Sequence, residues 1–211
     1  MVIGFLRAIG YFLVGIPISL VGLPVVALAL PFRVEHPETS KPFTQYPALG
    51  TWRLVTLPTW VKWFSNEFDG ALGDKRGWWA NYCLKTYGQP HTTFYCMWRW
   101  LAVRNPTNWW SRVVTGIDVS RCAIVKVAGD DYVTDEPGIG FQWQILDAVR
   151  DDGRHFPRVY LVAPWWFDPA HAVTVDIGWK IRLAHNGTAK DADISDRLKG
   201  AVFNASPWKT L

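Results

Sequence analysis

From residue 8 to residue 32 the chain carries no charged side chain, and Arg7 and Arg33 close the interval at its two ends. Those 25 residues are mostly Leu, Val, Ile, Ala and Gly. As a helix rising about 1.5 Å per residue they would measure about 37 Å, enough to cross a hydrocarbon layer about 30 Å thick. The run also repeats every seven residues, as Gly15-Ile16-Pro17, Gly22-Leu23-Pro24 and Ala29-Leu30-Pro31, so its prolines fall near one helix face. Proline inside a soluble helix costs about 3 kcal/mol, whereas membrane helices tolerate it where neighbours satisfy the freed carbonyls. A kinked span or a shallow re-entrant hairpin is therefore expected. Two other readings compete. Ala27-Leu28-Ala29 has the small-x-small form of a signal-peptide cleavage site, but the apolar run exceeds the usual ~7 to 15 residues and only Arg7 precedes it. A buried soluble helix is opposed by the three prolines. Arg33, Lys41 and Arg53 follow the run, which places the carboxyl-terminal bulk in the cytoplasm by the positive-inside tendency.

The rest of the chain has the composition of a folded domain. Its 211 residues suffice for one compact domain with an appendage, and 49% apolar against 19% charged residues excludes intrinsic disorder. Three cysteines exclude a disulfide-stapled scaffold. The net charge of +4 is uneven: +1 over residues 1–50, +5 over 51–115 and −2 over 116–211. Nine of the fourteen tryptophans lie in the basic middle region, so the aromatic and positive excesses coincide.

That middle region supplies the candidate interface. Prolines 37, 42, 47 and 58 mark residues 37–58 as an extended connector between an apolar anchor, 1–36, and a single α+β domain, 59–211. Helical pieces are expected around Trp60 to Phe64, around Trp78 to Tyr82 and over residues 92–103, the last stopped by Arg104-Asn105-Pro106. Trp60, Lys62, Trp63, Lys75, Arg76, Trp78, Trp79, Trp98, Arg99, Trp100, Arg104, Trp109 and Trp110 form the expected membrane-interface or partner-binding set. Indole rings sit at headgroup level while Lys and Arg reach anionic lipid. Trp63, Trp79 and Trp98 serve equally well as core residues with Arg99 stacked on one of them. A single-stranded nucleic-acid channel is disfavoured, because no recognised motif accompanies the aromatics.

Beyond residue 115 the pattern becomes alternation. Residues 173–184 alternate over twelve positions, residues 158–163 form another strand, Asp151-Asp152-Gly153 turns back from 141–149, and 121–128 completes a four-stranded antiparallel meander. A short last helix is expected over 191–203, with Asp191 at its start and Lys199 near its end. The fold class is thus α+β: an apolar N-terminal helix, a Trp-rich helical part over 59–115, and the meander over 116–211.

No constellation of known chemistry stands out. His36, His91, His155, His171 and His185 and Cys83, Cys96 and Cys122 have no spacing suited to a metal, and no cofactor is expected. The cysteines read as small buried hydrophobes in a reducing compartment. Nucleophile-elbow, phosphate-loop and dinucleotide motifs are missing from the sequence. Asp130-Asp131 and Asp135-Glu136 read as a solvated turn. As an enzyme, the chain would bring Asp69, Asp74, Arg76, Arg104, Asn105 and Asn108 to one cleft.

The ordered series Trp63-Phe64-Ser65-Asn66-x-x-Asp69-Gly70, Gly73-Asp74-Lys75-Arg76-Gly77-Trp78-Trp79, Arg104-Asn105-Pro106-x-Asn108 and Gly178-Trp179-Lys180 resembles an uncharacterised family of small Trp-rich proteins of tailed bacteriophages. The resemblance covers residues 45–183. It implies a phage origin and a bacterial host, and it carries over no activity or catalytic residue. The resulting expectation is a non-enzymatic interaction protein anchored in the host inner membrane, with the bilayer or envelope proteins as partners and homo-oligomerisation left open. The alternatives are a minor virion protein whose apolar end is buried among subunits, and a membrane-associated enzyme.

Overall fold

The computed structural model describes residues 1–66, 77–106, 108–186 and 197–211, with the side chains of 36–41 and 52–54 outside the description. The architecture is α+β, with an apolar N-terminal helix, a Trp-rich helical middle and an antiparallel sheet. The chain divides into two compact units, one formed by Met1–Val14 with Thr115–Leu211 and the other by Gly15–Val114.

Helix α1, Val2–Ala29, runs without interruption through Pro17 and Pro24 and ends in a 3-10 turn, Leu30–Phe32, that takes up Pro31. The expected re-entrant hairpin is therefore corrected to one continuous helix. Pro17 and Pro24 are exposed, as are Leu13 and Leu20, whose carbonyls lose their i+4 donors to the two rings. Proline on the outer side of a helix needs no room in a packed interior, which is why neither one breaks it.

In the first unit, a five-stranded antiparallel sheet has the order β4-β5-β6-β7-β9. The strands are β4 Cys122–Gly129, β5 Gln142–Arg150, β6 His155–Trp165, β7 Asp168–Trp179 and β9 Ala201–Thr210. The first four are the expected meander. The fifth replaces the expected last helix over its described part, since residues 198 onward are extended. β9 pairs with β7 from Trp179↔Ala201 to His171↔Thr210, and the free hydrogen-bonding edge of β7 outweighs the helix-end charges of Asp191 and Lys199. Pro207 is compatible because β9 is the sheet's edge. A two-residue pairing joins β3, Ile117–Asp118, to β8, Leu198–Lys199.

The core of this unit holds Ile117, Val119, Ile124, Leu146, Ala148, Phe156, Trp179 and Ile181, and α1 reaches it through Ala8 and Tyr11. Gly4 seats the helix: a Cβ there would lie 2.5 Å from Pro157 Cδ and 2.7 Å from the His155 carbonyl. Farther along the same face, Ala172 and Val162 pack under Val133 of the loop between β4 and β5. The alternation read over 173–184 leaves the sheet after Trp179, and Leu183–His185 forms a 3-10 turn.

In the second unit, residues 34–56 form a strand pair with a turn. β1, Val34–Pro42, and β2, Thr51–Thr56, pair antiparallel around a 3-10 turn, Pro47–Leu49, and a two-stranded ribbon tolerates proline because each strand is an edge. A 3-10 stretch, Thr59–Phe64, precedes helix α2, Trp78–Tyr87, and helix α3, Phe94–Trp98. α3 continues as π-helix through Arg99–Arg104, so the helix expected over 92–103 is present with a wider last turn. Val26, Ala29 and Leu30 of the apolar segment pack with Leu57, Val61, Trp79, Cys83, Met97, Trp100 and Leu101.

Candidate functional site

The tryptophans of the second unit separate by burial. Trp79, Trp100 and Trp110 are core residues at 3%, 5% and 7% exposure. Trp79 Nε1 donates to the Cys96 carbonyl at 3.2 Å, and half-buried Trp98 donates to the Leu23 carbonyl of α1 at 2.9 Å. Trp60 and Trp63 are exposed at 67% and 53%. Trp60 meets Phe32 edge to face at 6.5 Å, and Trp63 stacks on Trp109 at 6.4 Å. Lys62, on the turn between them, is half-buried. Lys75 and Arg76, with Asp69, Gly70, Gly73 and Asp74, lie outside the described residues.

Two of the motif segments meet. Asn108 Nδ2 donates to Asn66 Oδ1, and the Trp109 amide donates to the Ser65 carbonyl at 3.2 Å. Ser65 and Asn66 are each 1% exposed, and Ser65 Oγ and Asn66 Nδ2 have no hydrogen-bond partner among the described residues. Asn105 serves the backbone, since its amide and its Nδ2 both donate to the Trp100 carbonyl, at 3.0 and 3.2 Å, and close the π turn before Pro106. Gly77 opens α2 at a φ of +89°, where a Cβ would press on the Phe43 ring at 3.0 Å.

That π turn shapes a pocket. In an α-helix residues five apart point about 140° away from one another, whereas the wider i→i+5 turn brings Arg99 and Arg104 toward one side. Both line an open cavity of roughly 410 Å³ with Trp78, Trp79, Tyr82 and Val103. The Arg104 guanidinium sits 5.1 Å from the Trp78 ring centre. Arg99 lies 5.5 Å from the Tyr87 ring and donates to the Tyr95 hydroxyl at 3.0 Å, while its buried Nε has no partner among the described residues. The Tyr95 hydrogen bond is the main influence that raises the Arg99 pKa, so its charge is secure.

The motif Gly178-Trp179-Lys180 lies in the other unit and is structural. Gly178 has a φ of +117° and a Cβ there would fall 2.0 Å from the Pro157 carbonyl. Trp179 is fully buried against Phe156 at 5.1 Å, and the Lys180 amide donates to the Gly200 carbonyl at 3.1 Å. The same unit carries an aromatic group that sequence reasoning missed. Trp165, Trp166 and Phe167 turn between β6 and β7, Trp166 is 89% exposed, and Trp208 packs on Trp165, Phe167 and His171. Three consecutive aromatics between two alternating strands were the available signal.

Nothing among the described residues of these sites reproduces a catalytic triad. The model of a family of unknown function, DUF7338, matches residues 1–210. The chain belongs to this family. No curated protein and no solved structure matches it.

In this DUF7338 protein several polar groups outside that pocket are held by local contacts. Among the described residues no group of three His, Cys, Asp or Glu could hold a metal ion. Cys83 and Cys96 are buried and free, and burial pushes the Cys83 thiol far up. Burial likewise pushes Cys122 up to about 11. The acids of the 130–136 loop tie it down: Asp130 accepts from the Trp143 amide at 2.8 Å, Asp131 pairs with Lys126, and Asp135 with Lys209. Buried Asp147 accepts from the Phe156 amide at 3.1 Å and holds His155 Nδ1 at 2.6 Å, so this carboxylate–imidazole pair braces the turn between β5 and β6.

Proposed function

We propose that this chain is a phage-encoded, non-enzymatic protein seated on the bacterial host's inner membrane, where it engages an envelope protein. The exposed side of α1 carries this reading. The segment Val2–Phe32 is apolar and long enough to cross a membrane, and only 22% of its most apolar window is buried. In the first unit Gly4, Ala8 and Tyr11 face the sheet, while Val2, Ile3, Leu6, Leu13 and Val14 are exposed. In the second, Val26, Ala29 and Leu30 are buried, while Leu20, Val21, Leu28 and Phe32 are exposed. A soluble helix would present polar residues on that open side.

Such a helix suits a position along the interface better than a simple span. An interfacial helix normally has its own polar face in water, whereas here each unit covers the stretch of helix that it packs on. Pro17 and Pro24 leave the Leu13 and Leu20 carbonyls without helical donors on the open side, a cost of several kcal/mol each in hydrocarbon but not at headgroup depth. Trp60 and Trp63, exposed beside Lys62, suit the same depth. The phage origin rests on the resemblance of the motif series alone.

Fractionation of expressing bacteria tests the reading. Recovery with the inner membrane, resistant to salt and released by detergent, is the expected result. Recovery in the soluble fraction would overturn it, and stoichiometric presence in purified phage particles would point to a virion component instead.

A further inference from the structure

We propose that the pocket between α2 and the π turn binds a phosphate ester, with Arg99 and Arg104 on the phosphate and Trp78, Trp79 and Tyr82 around the group it esterifies. The inference is independent of how α1 meets the membrane. Two arginines line one cavity, and no carboxylate lines it among the described residues. One arginine fork already satisfies the two oxygens of a carboxylate, whereas a phosphate has further acceptor oxygens for a second fork. Among the described residues the buried Arg99 Nε has no partner, a desolvation left uncompensated.

The walls exclude a bare ion as the natural occupant. A volume of roughly 410 Å³ falls in the range of small-molecule sites, several times what inorganic phosphate fills. Trp78 and Tyr82 stack at 5.4 Å with an interplanar angle of 18°, and Trp79 and Tyr82 at 5.3 Å with 17°, which makes a continuous aromatic wall. A planar or apolar group attached to the phosphate would lie on that wall. The π turn supplies the reason for the geometry: an α-helical continuation would point Arg99 and Arg104 apart, and π turns of this kind recur at functional sites.

A soluble nucleoside or glycerol phosphate and a phospholipid headgroup both present an anionic phosphate ester, the first a monoester with three terminal oxygens and the second a diester with two. The test uses the intact chain and two probes. Calorimetric titration with adenosine 5′-monophosphate and glycerol 3-phosphate reports the soluble source. Co-sedimentation with phosphatidylcholine vesicles, with and without phosphatidylglycerol, reports the lipid source. Arg104→Ala changes an exposed side chain and should weaken binding roughly tenfold while Lys85→Ala, on the same unit outside the pocket, leaves it unchanged. Arg99→Lys, which keeps the charge and loses the fork, should weaken it as well.

Tight binding of a soluble ester, sensitive to Arg104, assigns the soluble source. Phosphatidylglycerol-dependent sedimentation, sensitive to Arg104, assigns the headgroup. Failure of both probes to bind, or equal behaviour of Arg104→Ala and Lys85→Ala, overturns the proposal. Sedimentation with phosphatidylcholine that Arg104→Ala leaves unchanged reports the membrane reading by itself, so the two can fail separately.

Discussion

The indole Nε1 of Trp98 donates to the Leu23 carbonyl at 2.9 Å, and this bond fastens α3 to the second half of α1. The carbonyl belongs to the turn that precedes Pro24. Trp98→Phe keeps most of the ring contact and removes the donor, so it should lower stability by about 1 kcal/mol. Trp98→Ala removes the packing too and should cost about 3 kcal/mol or more. Thermal melts in detergent, read by near-ultraviolet circular dichroism, separate the two, and equal melting of Trp98→Phe and wild type would mean that the bond contributes nothing.

Gly178 and Gly153 both adopt positive φ, at +117° and +76°, but their surroundings differ. A Cβ at Gly153 meets nothing within 4 Å, whereas one at Gly178 falls 2.0 Å from the Pro157 carbonyl and 2.9 Å from Arg158 Cα. Gly153→Ala therefore carries only the backbone cost, about 1 kcal/mol. Gly178→Ala must also push β7 off β6, where Arg158 holds Asp176 through bonds of 2.7 and 2.9 Å, so a loss above about 3 kcal/mol is expected. Urea unfolding of the two variants checks the difference.

These residues show what a sequence can disclose. The meander was legible because β-strand alternation reports one covered face, and the helix over 92–103 because Thr92 to Val103 lacks Gly and Pro. β9 was not legible. Its residues gain their partner only from the free edge of β7, a contact between positions such as Ile177 and Phe203 that local propensity does not encode. The Trp-rich stretch disclosed that aromatics and cations gather, but not which rings turn inward. Trp78 and Trp79 are adjacent and both line the pocket, yet one is half-buried while the other is nearly inaccessible. The pairing of Arg99 with Arg104 was hidden for a different reason. Five-residue spacing separates side chains in an α-helix, and only the π turn, closed by Asn105, changes that.

His91 supplies a pH dependence. Its ring packs edge to face on buried Phe43 at 5.6 Å, and burial lowers its pKa from the ordinary value of 6.5. Above that value both folded and unfolded chains carry neutral imidazole, and the full stability is present. As pH falls below it the unfolded chain binds its proton first, so stability is lost until pH passes the folded pKa, after which this group adds no further loss. The melting temperature should therefore decline between pH 7 and pH 5 more steeply in wild type than in His91→Gln, where the imidazole is gone. Parallel declines would assign the slope to other groups.

The open side of α1 is the remaining surface with a definite expectation. Leu13 and Leu20 are 57% and 62% exposed, flank the two helix prolines in sequence, and have no packing role to lose. Each leucine buried in lipid contributes about 1.5 to 3 kcal/mol, so the double change Leu13→Ser with Leu20→Ser should lower partitioning into phosphatidylcholine vesicles roughly a hundredfold or more. Val125→Ser, at 47% exposure on β4, removes a comparable exposed apolar side chain from the sheet and should leave partitioning unchanged. Vesicle co-sedimentation of the purified chain measures both. If the double variant sediments like wild type, the membrane is met by some other surface, and the aromatic turn at Trp165, Trp166 and Phe167 becomes the next one to alter.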